Sequence, residues 1–210
     1  MSDSPASLAD MTLADFLERL GSKAPVPGGG AVAGVSNAIA AGLGGMVVSY
    51  SLGKRSLEAH QTMLEESARI LEGLRTRSMR QADDDATAYG CLNALWSRPA
   101  DDPERVAGFQ DAVRGAIMAP GAIMQTSNEI LEVLERLPGC SAPHLASDLA
   151  IAIETATMGA RAAERNVTVN LPLIADEDER DALDEKYGAL GLDIDTKARV
   201  SMEAMNSSTD

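Results

Sequence analysis

Three adjacent carboxylates, Asp83, Asp84 and Asp85, lie inside a helical pattern rather than at its end. Neighbouring helix residues point about 100° apart, so at least one of the three turns inward. A carboxyl turned inward beside another carboxylate has its pKa raised, as a general acid or base working near neutral pH requires. The competing reading is a solvated charge run. A second constellation is Pro25-Val-Pro27-Gly28-Gly29-Gly30. Its unencumbered backbone N–H groups at a helix start favour an anion or a developing oxyanion, and two prolines stiffen the approach. It has no Lys-Ser/Thr pair of a nucleotide loop and no preceding strand, and a tight turn with close helix packing explains it equally well. A third group is Ser147-Asp148 with Asn166 and Asn170. The two asparagines, four apart, share a helix face and can hold a donor/acceptor edge, or they serve as caps and turn makers. Lys54, Arg55, Arg75, Arg77 and Arg80 are the basic groups near these elements, available for a substrate carboxylate.

The elements that must position these residues are helices. Leu13, Phe16, Leu17 and Leu20 recur at helical spacing between Thr12 as N-cap and Gly21 as stop. After the double-proline loop, a run of small residues from Ala31 to about Leu52 carries no charge and passes a length test for a bilayer span. It is poor in bulky apolar residues, and Gly30, Gly34, Ala38 and Gly42 lie four apart, so it reads as a buried central helix that admits close neighbours. One long helix, or two with a kink, fits 56–96. A further helical run to Leu137 is expected to kink or break at Pro120-Gly121. Pro143 opens a helix through about Arg165, continuing or fraying to Asn170, and a short acidic helix covers about 176–190. Residues 1–11 and about 202–210 read as flexible tails of a single domain, 1–210.

Composition agrees: aromatic residues make up 3% of the 210, while helix formers abound, giving an all-α helical bundle. The net charge of −14 argues against nucleic acid and against anionic lipid as partners. Two cysteines and two histidines make no metal framework, and Cys91 and Cys140 read as core thiols. The first twenty residues have neither a basic start nor an apolar run, so no signal peptide is expected and the setting is cytoplasmic.

In order and spacing, the motifs resemble those of the cyclodeaminase domain of formimidoyltransferase-cyclodeaminase and of the stand-alone methenyltetrahydrofolate cyclohydrolases. Pro25-Val-Pro-Gly-Gly-Gly30 is similar to the family's P-x-P-G-G-G, and Met46-Val-Val with Gly53-Lys54 to its M-V-…-G-K. Asp84-Asp85-Ala-Thr-Ala88-Tyr89 resembles its D-x-x-A-F/Y stretch, with Asp85 the matching aspartate. Ala146-Ser147-Asp148 and Asn166-Val-Thr-Val-Asn170 resemble its S-D and N-V-x-x-N segments. The chain departs at Leu57, where the family commonly has an aromatic, and at Gly121, where it has a bulky apolar residue.

The resemblance implies an all-helical homodimer that binds a tetrahydrofolate one-carbon derivative without metal or redox cofactor. It implies either a cyclohydrolase, converting 5,10-methenyltetrahydrofolate to 10-formyltetrahydrofolate, or a cyclodeaminase that closes 5-formimidoyltetrahydrofolate and releases ammonia. The absence of a fused transferase domain favours the first, and a helical binding or scaffold protein with a lapsed site is the third reading. On this resemblance Asp85, coupled to Asp84, moves the proton. Pro27, Gly28, Gly29 and Gly30 with Lys54 hold the pterin or the glutamate, and Ser147, Asp148, Asn166 and Asn170 complete the pocket.

Overall fold

The computed structural model of the chain describes residues 7–207, and among them every regular element is helical. Helices α1 (Leu13–Leu20), α2 (Gly29–Ser51), α3 (Gln61–Trp96), α4 (Pro103–Leu134), α5 (Ala146–Asn170) and α6 (Glu177–Ser207) follow in order, joined by short 3-10 turns. Helices α2, α3, α4 and α5 form a ring in which each packs on the next, and α6 lies over α4 and α5. The α1 boundaries are those read from the sequence: the Thr12 hydroxyl accepts the Asp15 N–H at 3.1 Å, and Gly21 closes the helix.

Small residues let α2 sit centrally. Ala33, Ala40, Ala41, Val47 and Val48 are fully buried, and a Cβ at Gly34 would lie 2.8 Å from that of Ala82 on α3. Among the described residues α2 is the one helix long and apolar enough to cross a membrane, with a mean hydropathy of 1.7, yet most of it is enclosed by the bundle. Polar side chains are enclosed with it, Asn37 and Ser51 fully. Asn37 donates to the Ile123 carbonyl at 3.0 Å and accepts from the Ser127 hydroxyl at 2.9 Å, pinning α2 to α4 with its amide satisfied.

Five expectations are corrected. Of the kink or break expected at Pro120, the break does not occur: α4 runs unbroken from Pro103 to Leu134. A proline removes the hydrogen bond to the carbonyl four residues earlier, here that of Ala116, and the Asn170 amide supplies the missing donor at 3.1 Å. Gly121 departs from the family pattern because Tyr187 of α6 occupies the space of a side chain there: a Cβ would lie 2.3 Å from its ring. The acidic helix is not short, since α6 runs 31 residues with Tyr187, Ile194, Ala198, Ser201 and Met205 on its buried side. Its last part covers the start of the expected C-terminal tail, while 208–210 lie outside the described residues. At the other end, 7–11 are anchored rather than loose: Asp83 accepts the Ser7 hydroxyl at 2.6 Å and the Leu8 N–H at 2.8 Å, and Leu8 is buried. Residues 1–6 of that expected tail lie outside the described residues. Finally, Cys91 is exposed and Cys140 half-buried, so neither is a core thiol, and both are unbonded.

Candidate active site

The loop ahead of α2, the middle of α3 and the last turn of α5 enclose a cleft of about 270 Å³ lined by Gly28, Gly29, Gly30, Asp85, Asn166 and Asn170. Antiparallel packing brings them together, because α2 begins at the end of the bundle where α5 finishes. Gly28 is the N-cap of α2 and offers no side chain to it, and the first intrahelical bond is Val32 N–H to the Gly28 carbonyl at 3.1 Å. The amides of Gly29, Gly30 and Ala31 therefore have no partner within the helix.

Asp85 is the chemically distinctive group. It is half-buried, accepts no hydrogen bond and pairs with no cation among the described residues. Burial without compensation raises its pKa from 3.8 to about 6. The carboxyl lies directly against Gly30, where a Cβ would stand 1.9 Å from Oδ2. Asn166 faces Gly29, with Oδ1 3.6 Å and Nδ2 3.7 Å from where a Cβ would be, and its amide group is unengaged among the described residues. The Asn170 Nδ2, by contrast, donates to the Ala116 and Asn166 carbonyls, so this side chain braces the wall of the cleft.

The carboxylate triplet separates as helix geometry requires. Asp83 holds the N-terminal segment and Asp84 is exposed, leaving Asp85 alone in the cleft without the Asp84 coupling anticipated for it. Pro27 is buried on the far side of the loop, where it lines a neighbouring cleft. Lys54, Ser147 and Asp148 stand at the opposite end of the bundle. Lys54 follows the C-terminus of α2, whose 23 residues span about 33 Å. Ser147 and Asp148 begin α5 beside it, where Ala142 N–H bonds the Ser51 hydroxyl at 2.8 Å. Arg75 and Arg77 pair with Glu72 and Glu129 and stay outside the cleft.

Sequence reasoning passed over Pro25, Val26, Tyr89 and Val169 as lining residues. Tyr89 was findable, since it lies four residues after Asp85 on the same face of α3, and Val169 lies three after Asn166. Tyr89 is 41% and Val169 68% exposed, so both offer apolar surface at the rim suited to a flat ring. A buried-edge base, free helix amides and an amide side chain under an apolar rim can hold a planar heterocycle and exchange a proton with it.

A family model described as formiminotransferase-cyclodeaminase matches residues 12–189. The chain is 31% identical over 163 residues to a methenyltetrahydrofolate cyclohydrolase of Methylorubrum extorquens, covering 76% of this chain and 78% of that relative. It is 25% identical over 206 residues to the formimidoyltransferase-cyclodeaminase of Mus musculus, of whose length it spans 38%. The solved structure of formiminotetrahydrofolate cyclodeaminase from Thermotoga maritima has the same fold, with a TM-score of 0.88 at 23% identity over 95% of this chain and 98% of that one.

Proposed function

The chain belongs to the formiminotransferase-cyclodeaminase family, and from that premise we propose that it is a methenyltetrahydrofolate cyclohydrolase. Asp85 carries this reading. The substrate's amidinium carbon, between N5 and N10, is cationic, and a carboxylate with no cation of its own stabilises it. Water adds to that carbon and gives its proton to Asp85, leaving a tetrahedral carbon that bears a hydroxyl. The C–N5 bond then breaks, N5 recovers the proton from Asp85, and the hydroxyl becomes the formyl carbonyl as its proton leaves to solvent. Substrate and water thus give 10-formyltetrahydrofolate and one proton with no change of oxidation state, so neither a metal nor a redox cofactor is required. A pKa of about 6 keeps Asp85 ionised at neutral pH and still basic enough to accept the proton. The free amides of Gly29 and Gly30 suit the oxygen that water contributes, and Asn166 suits the pterin edge.

Homodimerisation fits the division of the family motifs between the two ends of the bundle. Along α2 the outward residues Ile39, Gly42, Leu43, Met46 and Tyr50 make an uncharged stripe, with Ile39 56% and Tyr50 59% exposed. Two α2 helices overlapping antiparallel along this stripe would set Lys54, Ser147 and Asp148 of each copy beside the other copy's glycine loop and Asp85. Lys54 would then reach a substrate bound in the other copy's cleft. The two unbonded cysteines suit a reducing, cytoplasmic setting.

The test is the loss of methenyl absorbance when enzyme is added, against the spontaneous rate, beside ammonia release from 5-formimidoyltetrahydrofolate. Ammonia without accelerated methenyl loss would replace the cyclohydrolase with the cyclodeaminase, and neither signal would leave a binding protein.

A further inference from the structure

A second cleft, of about 380 Å³, adjoins the first and shares Val26 and Ala86 with it. Its wall includes Arg19, Pro27, Asp83 and Thr87. Arg19 follows the buried Phe16 by three residues, which places it on the inward flank of α1, and it is half-buried. Its guanidinium nevertheless makes no ion pair or hydrogen bond among the described residues, in a chain of net charge −14 where Arg75, Arg77, Arg114 and Arg161 all have carboxylate partners. The one carboxylate lining the same cleft, Asp83, has both oxygens occupied by Ser7 and Leu8. An arginine held partly out of water with its fork unfilled is a receptor for a planar anion, and a carboxylate fills it with two parallel bonds.

Resting on the folate reading above, we propose that this second cleft is the subsite for the glutamate end of the substrate, with Arg19 binding a glutamate carboxylate. A ligand whose pterin meets Asp85 and Asn166 crosses Val26 and Ala86, so its benzoyl ring lies on an apolar saddle and its carboxylates reach Arg19. Arg19 thereby contributes to affinity and to recognition of the folate tail, whereas the proton transfer belongs to Asp85.

The experiment compares 5,10-methenyltetrahydrofolate with the corresponding tetrahydropteroate, which lacks glutamate, on the wild type, Arg19→Gln and Arg19→Lys. The wild type should show a KM about tenfold or more lower for the folate, the size of one charge-assisted contact. Arg19→Gln should raise the folate KM to the pteroate value without moving the pteroate KM, and Arg19→Lys should recover part of the difference. Equal effects of Arg19→Gln on both substrates, or a wild type blind to the glutamate, would overturn the proposal. Calorimetric binding of 5-formyltetrahydrofolate and 5-formyltetrahydropteroate provides the same comparison without turnover. Discrimination there that depends on Arg19, in a protein with no cyclohydrolase activity, would reject the enzyme reading and keep the subsite.

Discussion

The Asp85 carboxyl occupies the space that a side chain at Gly30 would need, with Oδ2 1.9 Å from the ideal Cβ position. The base is therefore positioned by the absence of an atom. Gly30→Ala should displace the carboxyl and lower kcat by about a hundredfold or more, the usual worth of a positioned acid/base group. Steady-state kinetics would check this, with circular dichroism confirming the fold. A near-normal kcat would show that the Gly30 contact does not position the base.

Asp85→Asn keeps the shape and removes the basicity, so kcat should fall by at least about a hundredfold, and KM should rise because the cationic substrate loses its counter-charge. Full activity in this variant would end the proton-transfer role. In the wild type, kcat/KM should decline as pH drops through about 6, where the carboxylate takes up its proton, once spontaneous hydrolysis is subtracted at each pH.

The same carboxyl affects stability with the opposite sign to a paired aspartate. Its folded pKa, about 6, lies above the ordinary value of 3.8, so its neutral form stabilises the fold below that ordinary value and the contribution is lost as pH rises through 6. Asp85→Asn should therefore raise the melting temperature at pH 8, by a stability gain on the order of 2 kcal/mol, and change it little at pH 3.5. Thermal denaturation at the two pH values measures the difference.

Asn170 and Pro120 make a coupled pair through the Ala116 carbonyl. Asn170→Ala should cost about 1–3 kcal/mol because that buried carbonyl loses its donor. In Pro120→Ala the backbone N–H returns and bonds Ala116 itself, so adding Asn170→Ala to it should cost less than in the wild type. A double-mutant cycle by denaturant unfolding reads the non-additivity.

Sites shared between two copies predict complementation. Lys54→Met and Asp85→Asn should each be nearly inactive. Unfolding and refolding them together should restore roughly a quarter of wild-type activity, since half the dimers are mixed and each mixed dimer has one intact site. No recovery would show that Lys54 and Asp85 do not meet across an interface between two copies.

Where a local signal carried the information, the sequence was readable. The Thr12 and Gly21 boundaries, the loop into α2 and the face shared by Asn166 and Asn170 all follow from capping or helical period. The continuity of α4 through Pro120 was not legible, because the repair comes from a residue fifty positions away, which no window of sequence contains. Helix α6 was underestimated because Gly188 and Gly191 interrupt a pattern whose buried positions, Ile194, Ala198 and Ser201, include few bulky residues. The motifs gave Asp85 and the glycine loop together. Chain order holds no account of direction, however, so it could not reveal that Lys54 and Asp148 end up a helix length away from them.

The interior of α2 is built mostly from alanine and glycine, with Val47 and Val48 toward its C-terminal end and Asn37 pinned to α4. Alanine and glycine have no rotamers to freeze, so enclosing this helix on several sides costs little side-chain entropy. They also leave the helix nothing to repack with, and each close approach is backbone against a neighbour. The first turn, with its free amides, is thus tied to a rod whose position has few soft degrees of freedom. Substitutions along α2 far from the cleft should consequently shift the whole rod, and be felt at Asp85 as a change in alignment as well as in folding stability.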